Sequence, residues 1–170
     1  DPRSGKADIR PELQVGNYFD AIIDQSAEWL SPFTQQMAVI TPGNHETAVR
    51  KRQETCLTTR IVDRLRLQGS SVVQGGYSGW VLIRARHGSA VRTYKVWYHH
   101  GFGGGGPVTR GVIDFSRMMV DVDADAIVSG HVHQKTLMEA TRHRLSGSGI
   151  ATVSPVHLIR SSTYKRDSIT

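Results

Sequence analysis

Hydrophobic and polar positions recur with two different periods along this chain, and the switches between them outline its elements. Phe19, Ile22, Ile23, Ala27 and Leu30 repeat at helical spacing, with Asp20, Asp24 and Glu28 on the other side. That pattern predicts a helix capped by Asn17 and running to about Leu30. Ser31-Pro32 ends it, and Met37-Ala38-Val39-Ile40 predicts a buried strand over 37–41. A second helix is predicted over 47–68. Val49, Leu57, Ile61 and Leu65 mark its buried side, Arg50, Lys51, Arg52, Arg60, Arg64 and Arg66 crowd the rest, and Gly69 stops it. Strands follow at 71–74, 79–86 and 91–99, the last two forming a hairpin around His87-Gly88-Ser89. Arg84 and Arg86 alternate there with Ile83 and Ala85, as on a half-exposed strand. A helix near 109–120, with Ile113, Met119 and Val120 inward, leads to a strand at 125–129. Residues 134–145 and 150–162 then alternate like antiparallel strands, with Leu137, Met138, Val153, Val156 and Leu158 as their apolar positions.

Two stretches carry no such period. Residues 1–16 hold Pro2, Gly5, Pro11 and Gly16 and read as an extended lead-in. Residues 101–107 are too glycine-dense for regular structure, and serve either a close backbone approach to a ligand or a plain connection. Helices and strands intermix, so the expected class is a layered α/β sandwich.

Composition narrows the picture. At 170 residues, 38% apolar and 21% charged, the chain fits a single soluble domain over 1–170. No run reaches the roughly 18 apolar residues of a membrane span, and no secretory signal opens the sequence. A cytoplasmic protein without membrane contact is therefore expected. Cys56 stands alone, which excludes an internal disulfide; on the second helix it is expected as a half-buried filler. The net charge of +6 favours polyanionic partners, nucleic acid foremost. No zinc finger or RNA-recognition sheet signature accompanies that charge.

The candidate chemistry lies in three short stretches, each directly after a predicted strand: Gly43-Asn44-His45-Glu46, His99-His100-Gly101 and Gly130-His131-Val132-His133. Ligands at the carboxyl ends of several strands gather at one edge of an open α/β sheet. Asn44 offers a neutral amide oxygen and the histidines offer imidazoles, a mixed set suited to Mn, Fe or Zn. Taken alone, the first stretch is equally a turn with an asparagine cap and a solvated histidine. Adjacent imidazoles at a strand end face opposite sides, so at most one of His99 and His100 points at a given site. His131 and His133 share a face if extended and splay around Val132 if in a turn.

In this order and spacing the three stretches resemble the later motifs of the calcineurin-like metallophosphoesterases, over about residues 37–135. The lead-in, the segment after Glu46 and the glycine loop look like phage- or prophage-encoded members. The resemblance implies a partial four-layer α/β/β/α metallophosphoesterase sandwich with a two-ion site, Mn favoured and Fe, Zn or Ni as alternatives. It implies Asn44, His100 and His131 as ligands of the second ion and His133 of the first, with His99 the fallback for His100. His45 would be catalytic, lying over the phosphate, and Glu46 would hold the loop or a ligand histidine. The substrate would be a phosphomonoester or phosphodiester, nucleic acid or nucleotide among them.

The chain departs from that pattern in one respect. The family opens with Asp-x-His and Gly-Asp-x-x-Asp, and neither occurs here. Truncation is the preferred reading, with Tyr164-Lys165-Arg166 resembling mid-domain sequence. A decayed motif at Gly16-Asn17-Tyr18-Phe19-Asp20 is the competitor, disfavoured because residues 12–15 make a poor buried strand and Asn17 a good cap. Weakened metal binding is expected either way. Two other classes stand beside the enzyme: a non-catalytic phosphoesterase-fold binding module that has lost its first metal, and a mononuclear structural zinc protein. The zinc reading suffers because asparagine suits closed zinc sites poorly.

Overall fold

A computed structural model describes residues 16–103 and 112–161. The lead-in before Gly16, most of the glycine loop and the terminal segment around Tyr164 lie outside the described residues. The chain divides into two compact units, Asp1–Tyr77 and Ser78–Thr170.

In the first unit the predicted first helix forms as α1 (Tyr18–Leu30), followed by a 3-10 turn at Ser31–Phe33. Ile23 and Ala27 are buried, and Phe19 and Leu30 pack beside them. Asn17 occupies the cap position, but its side chain makes no capping hydrogen bond. β1 is only Val39–Ile40 and pairs in parallel with β2 (Val73–Gln74).

The single helix predicted over 47–68 is two helices, α2 (Asn44–Gln53) and α3 (Leu57–Leu67). Between Val49 and Leu57 the sequence Arg-Lys-Arg-Gln-Glu-Thr-Cys supplies almost no apolar surface to hold a continuous face. The chain breaks there, with Glu54 in the left-handed region (φ 53°) and Cys56 extended at the start of α3. Cys56 is thus a partly buried capping-position residue and not a mid-helix filler. α3 buries Leu57, Thr58, Val62 and Leu65, while the predicted Ile61 packs only partly. Its arginines are largely tied inside the unit: Arg60 pairs with Asp20, Arg64 with Asp24 at 2.9 Å, and Arg66 Nε donates to the Val72 carbonyl.

The second unit is a five-stranded mixed sheet, with β3 (Ser78–His87), β4 (Ala90–His99), β5 (Ala126–Ser129), β6 (Thr136–Leu145) and β7 (Ala151–Arg160) in the order β3-β4-β5-β7-β6. The β3–β4 and β6–β7 pairs are antiparallel hairpins, and β4, β5 and β7 run parallel. α4 (Val112–Asp121) covers the sheet through Phe115 and Met118, which pack with Val122, Ala124, Ile127, Val156 and Leu158. The expected inward residues Ile113 and Val120 point out, the latter 84% exposed. The helix is rotated because Phe115 is its largest side chain, and burying it removes the most apolar surface from water. Leu137 and Val153 likewise lie on the exposed side of their hairpin, whereas Val156 and Leu158 reach the core. Arg142 donates to the carbonyls of Met119 and Val122, which satisfies the otherwise unpaired end of α4. The class is mixed α/β, as expected, with a five-stranded sheet and a second, two-stranded one.

Candidate metal centre

The parallel register decides what meets at the carboxyl edge of the larger sheet. His99 is level with Ser129, and Ser129 with Arg160. The Gly130 N–H donates to the His100 carbonyl at 3.0 Å, and the Ser161 N–H to the Ser129 carbonyl at 3.1 Å. The ladder therefore runs one residue beyond the strands and sets His100 and His131 side by side. Their rings stand edge to face, with centroids 5.3 Å apart and planes at 66°.

His131 is held there by an unusual backbone. The Val132 N–H closes a three-residue turn onto the Gly130 carbonyl at 2.8 Å, and His131 at its centre has φ 67°. An i to i+2 bond with positive φ marks the rare, strained hand of the γ-turn. Such strain persists only where the surroundings over-determine it, and it concentrates at functional sites. Val132 is buried and anchors the turn, while His133 is exposed. Facing it, Gly101 adopts φ 108°, and a Cβ there would lie 2.7 Å from the Gly130 carbonyl oxygen and 2.8 Å from the His131 Cβ. Only glycine permits that approach.

His99 turns another way. Its Nδ1 accepts the Gly101 N–H at 2.8 Å, and its ring stacks on Trp97 at 5.4 Å and meets the edge of Phe102 at 5.5 Å. Burial pushes its pKa down, which favours the neutral ring that this acceptor role needs.

In the first unit the Gly43-Asn44-His45-Glu46 stretch is a helix start and not a free turn. Gly43 is the extended cap of α2, and the Glu46 carboxylate accepts its N–H at 2.8 Å, one half of a capping box. Asn44 is the first helical residue, half-buried, and lines a cleft of about 320 Å³ with Thr47, Ala48, Lys51 and Tyr77. His45 is exposed. Glu46 thus holds the loop, one of the two roles expected for it.

Sequence reasoning missed one cluster at this edge. Arg160 ends β7 with its side chain 2% exposed. Its Nε donates to Ser129 Oγ at 3.3 Å, its Nη2 lies 3.6 Å from Asp114 Oδ2, and its guanidinium sits 4.7 Å above the Phe115 ring. The available signal was an arginine closing an otherwise apolar alternation, Val156-His-Leu-Ile-Arg160.

Two imidazoles at neighbouring strand ends fit the nitrogen part of a mixed nitrogen–oxygen donor set. Among the described residues, no group of three or more His, Cys, Asp or Glu side chains is placed to hold an ion. The fit is therefore to part of a centre, and Asn44 lies on the first unit. No described helix is long and apolar enough to cross a membrane.

These features define a mixed α/β protein with an imidazole pair at the carboxyl edge of its sheet. The chain matches the calcineurin-like phosphoesterases over residues 4–135, most of its length, and it belongs to that family. Membership makes it a phosphoesterase in the general sense. No curated protein and no solved structure matches it.

Proposed function

We propose that the chain is a metal-dependent hydrolase of phosphomono- or phosphodiesters, with nucleic acid or nucleotides as its substrate class. The observation that carries the reading is the His100–His131 pair, with one of its members on a strained turn. In this reading His100, His131 and Asn44 hold one divalent ion and His133 contributes to a second, with Mn preferred over Fe, Zn or Ni. When bound, such ions supply Lewis-acid polarisation of phosphoryl oxygens. His45, exposed at the start of α2, approaches the phosphate and gives a proton to the departing ester oxygen. The positive end of α2 favours an anion near its first turn.

Support for a polyanionic substrate comes from the net charge of +6 and from the β3–β4 hairpin. That hairpin carries Arg84, Arg86, Arg92 and Lys95 without any Asp or Glu, beside exposed Trp80. Basic groups with an exposed aromatic suit a phosphate backbone and its bases.

The test is single-turnover hydrolysis of an aryl phosphodiester with Mn²⁺, wild type against His45→Ala. A loss of about 10²–10⁴-fold is expected for removing a general acid. Equal rates would remove His45 from the chemistry. Mn²⁺ binding without turnover in the wild type would favour a phosphoesterase-fold binding module instead.

A further inference from the structure

A buried guanidinium is costly to desolvate unless its hydrogen bonds and charge are met. Arg160 meets them at the carboxyl edge of the sheet, through three residues on two elements. Asp114 lies on the first turn of α4. Phe115 beneath the guanidinium belongs to the core. Ser129 is the last residue of β5, immediately before the turn that carries His131.

That turn is the strained one. Its entry is fixed from one side by the Gly130 N–H to the His100 carbonyl, and from the other by the Ser161 N–H to the Ser129 carbonyl. The Ser129 side chain is the remaining polar handle before Gly130, and Arg160 Nε takes it. A planar, forked donor locked between Asp114 and the Phe115 face fixes direction as well as distance, which an ammonium on a flexible stem does not.

We infer that Arg160 is a positioning residue, which clamps Ser129 to α4 so that the Gly130-His131-Val132 turn holds the His131 imidazole beside His100. The inference rests on the reading of these two histidines as metal donors. Arg160 acts through Ser129, whose Oγ accepts from its Nε. Outer partners of this kind, which orient ligands, typically contribute about 10–100-fold to metal affinity.

The test compares the full chain with Arg160→Lys and Ser129→Ala, using two readouts. The first is the nuclear Overhauser contact between the His100 and His131 rings in metal-free protein. The second is Mn²⁺ affinity by electron paramagnetic resonance, with circular dichroism reporting the fold. Arg160→Lys keeps the charge but not the fork, and is expected to weaken the ring contact and lower Mn²⁺ affinity about 10-fold or more. Ser129→Ala should move both readouts the same way by less, and it decides alone if Arg160→Lys fails to fold. Folded variants with wild-type ring contact and wild-type affinity would overturn the clamp. If the wild type binds no Mn²⁺, the metal reading falls, and the ring contact in metal-free protein still decides whether Arg160 positions His131.

Discussion

His100 and His131 stand edge to face, 5.3 Å between ring centroids, just beyond the ends of two parallel strands. The pairing depends on Gly101, which passes within van der Waals limits of the opposing turn only because it lacks a side chain. Gly101→Ala should therefore be costly on two counts. The positive φ costs an alanine about 1–2 kcal/mol, and forcing a methyl against backbone adds about 1–3 kcal/mol of overpacking. A urea unfolding midpoint equal to wild type would show that the strand ends are not in contact.

His131→Gly should do the opposite to stability. Relief of the left-handed strain is worth about 1–3 kcal/mol, against roughly 0.4–1 kcal/mol of extra unfolded-chain entropy for glycine. The unfolding midpoint is expected to hold or rise while Mn²⁺ affinity falls. A clear drop in stability would mean that the turn is not strained, and that His131 contributes chiefly packing.

The far end of the sheet gives a pH dependence. The hydrogen bond from Lys95 pulls the Asp123 pKa below its ordinary 3.8 against an opposing effect of burial, with further lowering from Arg142 and Arg144. Its folded pKa lies below its unfolded one. The associated stability is thus fully present above the unfolded value and drains as pH falls through the folded value. Asp123→Asn should flatten the acid limb of a thermal-melt series below about pH 4 and remove its Arg142 and Arg144 ion pairs. An unchanged acid limb would argue against the ion cluster. The effect should be small, since the Asp123 side chain is 62% exposed.

If the acid-free hairpin contacts a phosphate backbone, binding to single-stranded oligonucleotide should weaken steeply with salt. For single strands, each cation lost reduces the slope of log K against log salt by about 0.7. Arg84→Ser with Arg92→Ser is expected to lower the slope by about twice that amount, measured by fluorescence anisotropy. A salt slope near zero in the wild type would remove nucleic acid from the proposed substrates.

Much of this was legible in the chain because strands and motifs announce themselves locally. Apolar runs ending in glycine and histidine located β4 and β5 to within a residue or two, and their parallel register then brought His100 and His131 together. What failed was everything decided by a partner. Periodicity could mark α4 as amphipathic, but which stripe turns inward was set by Phe115 against Ile127 and Leu158. The helix over 47–68 split at the gap in apolar spacing between Val49 and Leu57, which both pack on Ile23 from separate helices. The turn at His131 was unreadable, since even for histidine, which visits positive φ more often than most residues, that conformation is uncommon and is set by tertiary contacts. Arg160 was missed for the same reason: a lone arginine on a strand reads as exposed until Asp114 and Ser129 close around it.

The His100–His131 imidazole pair is the proposed divalent-ion donor. Electron paramagnetic resonance titration of Mn²⁺ into the full chain, beside a His100→Ala/His131→Ala double variant of unchanged circular dichroism, tests this directly. Saturable binding in the wild type, weakened at least about 10-fold in the variant, is the predicted result. Equal binding by both proteins, or none by the wild type, would contradict it.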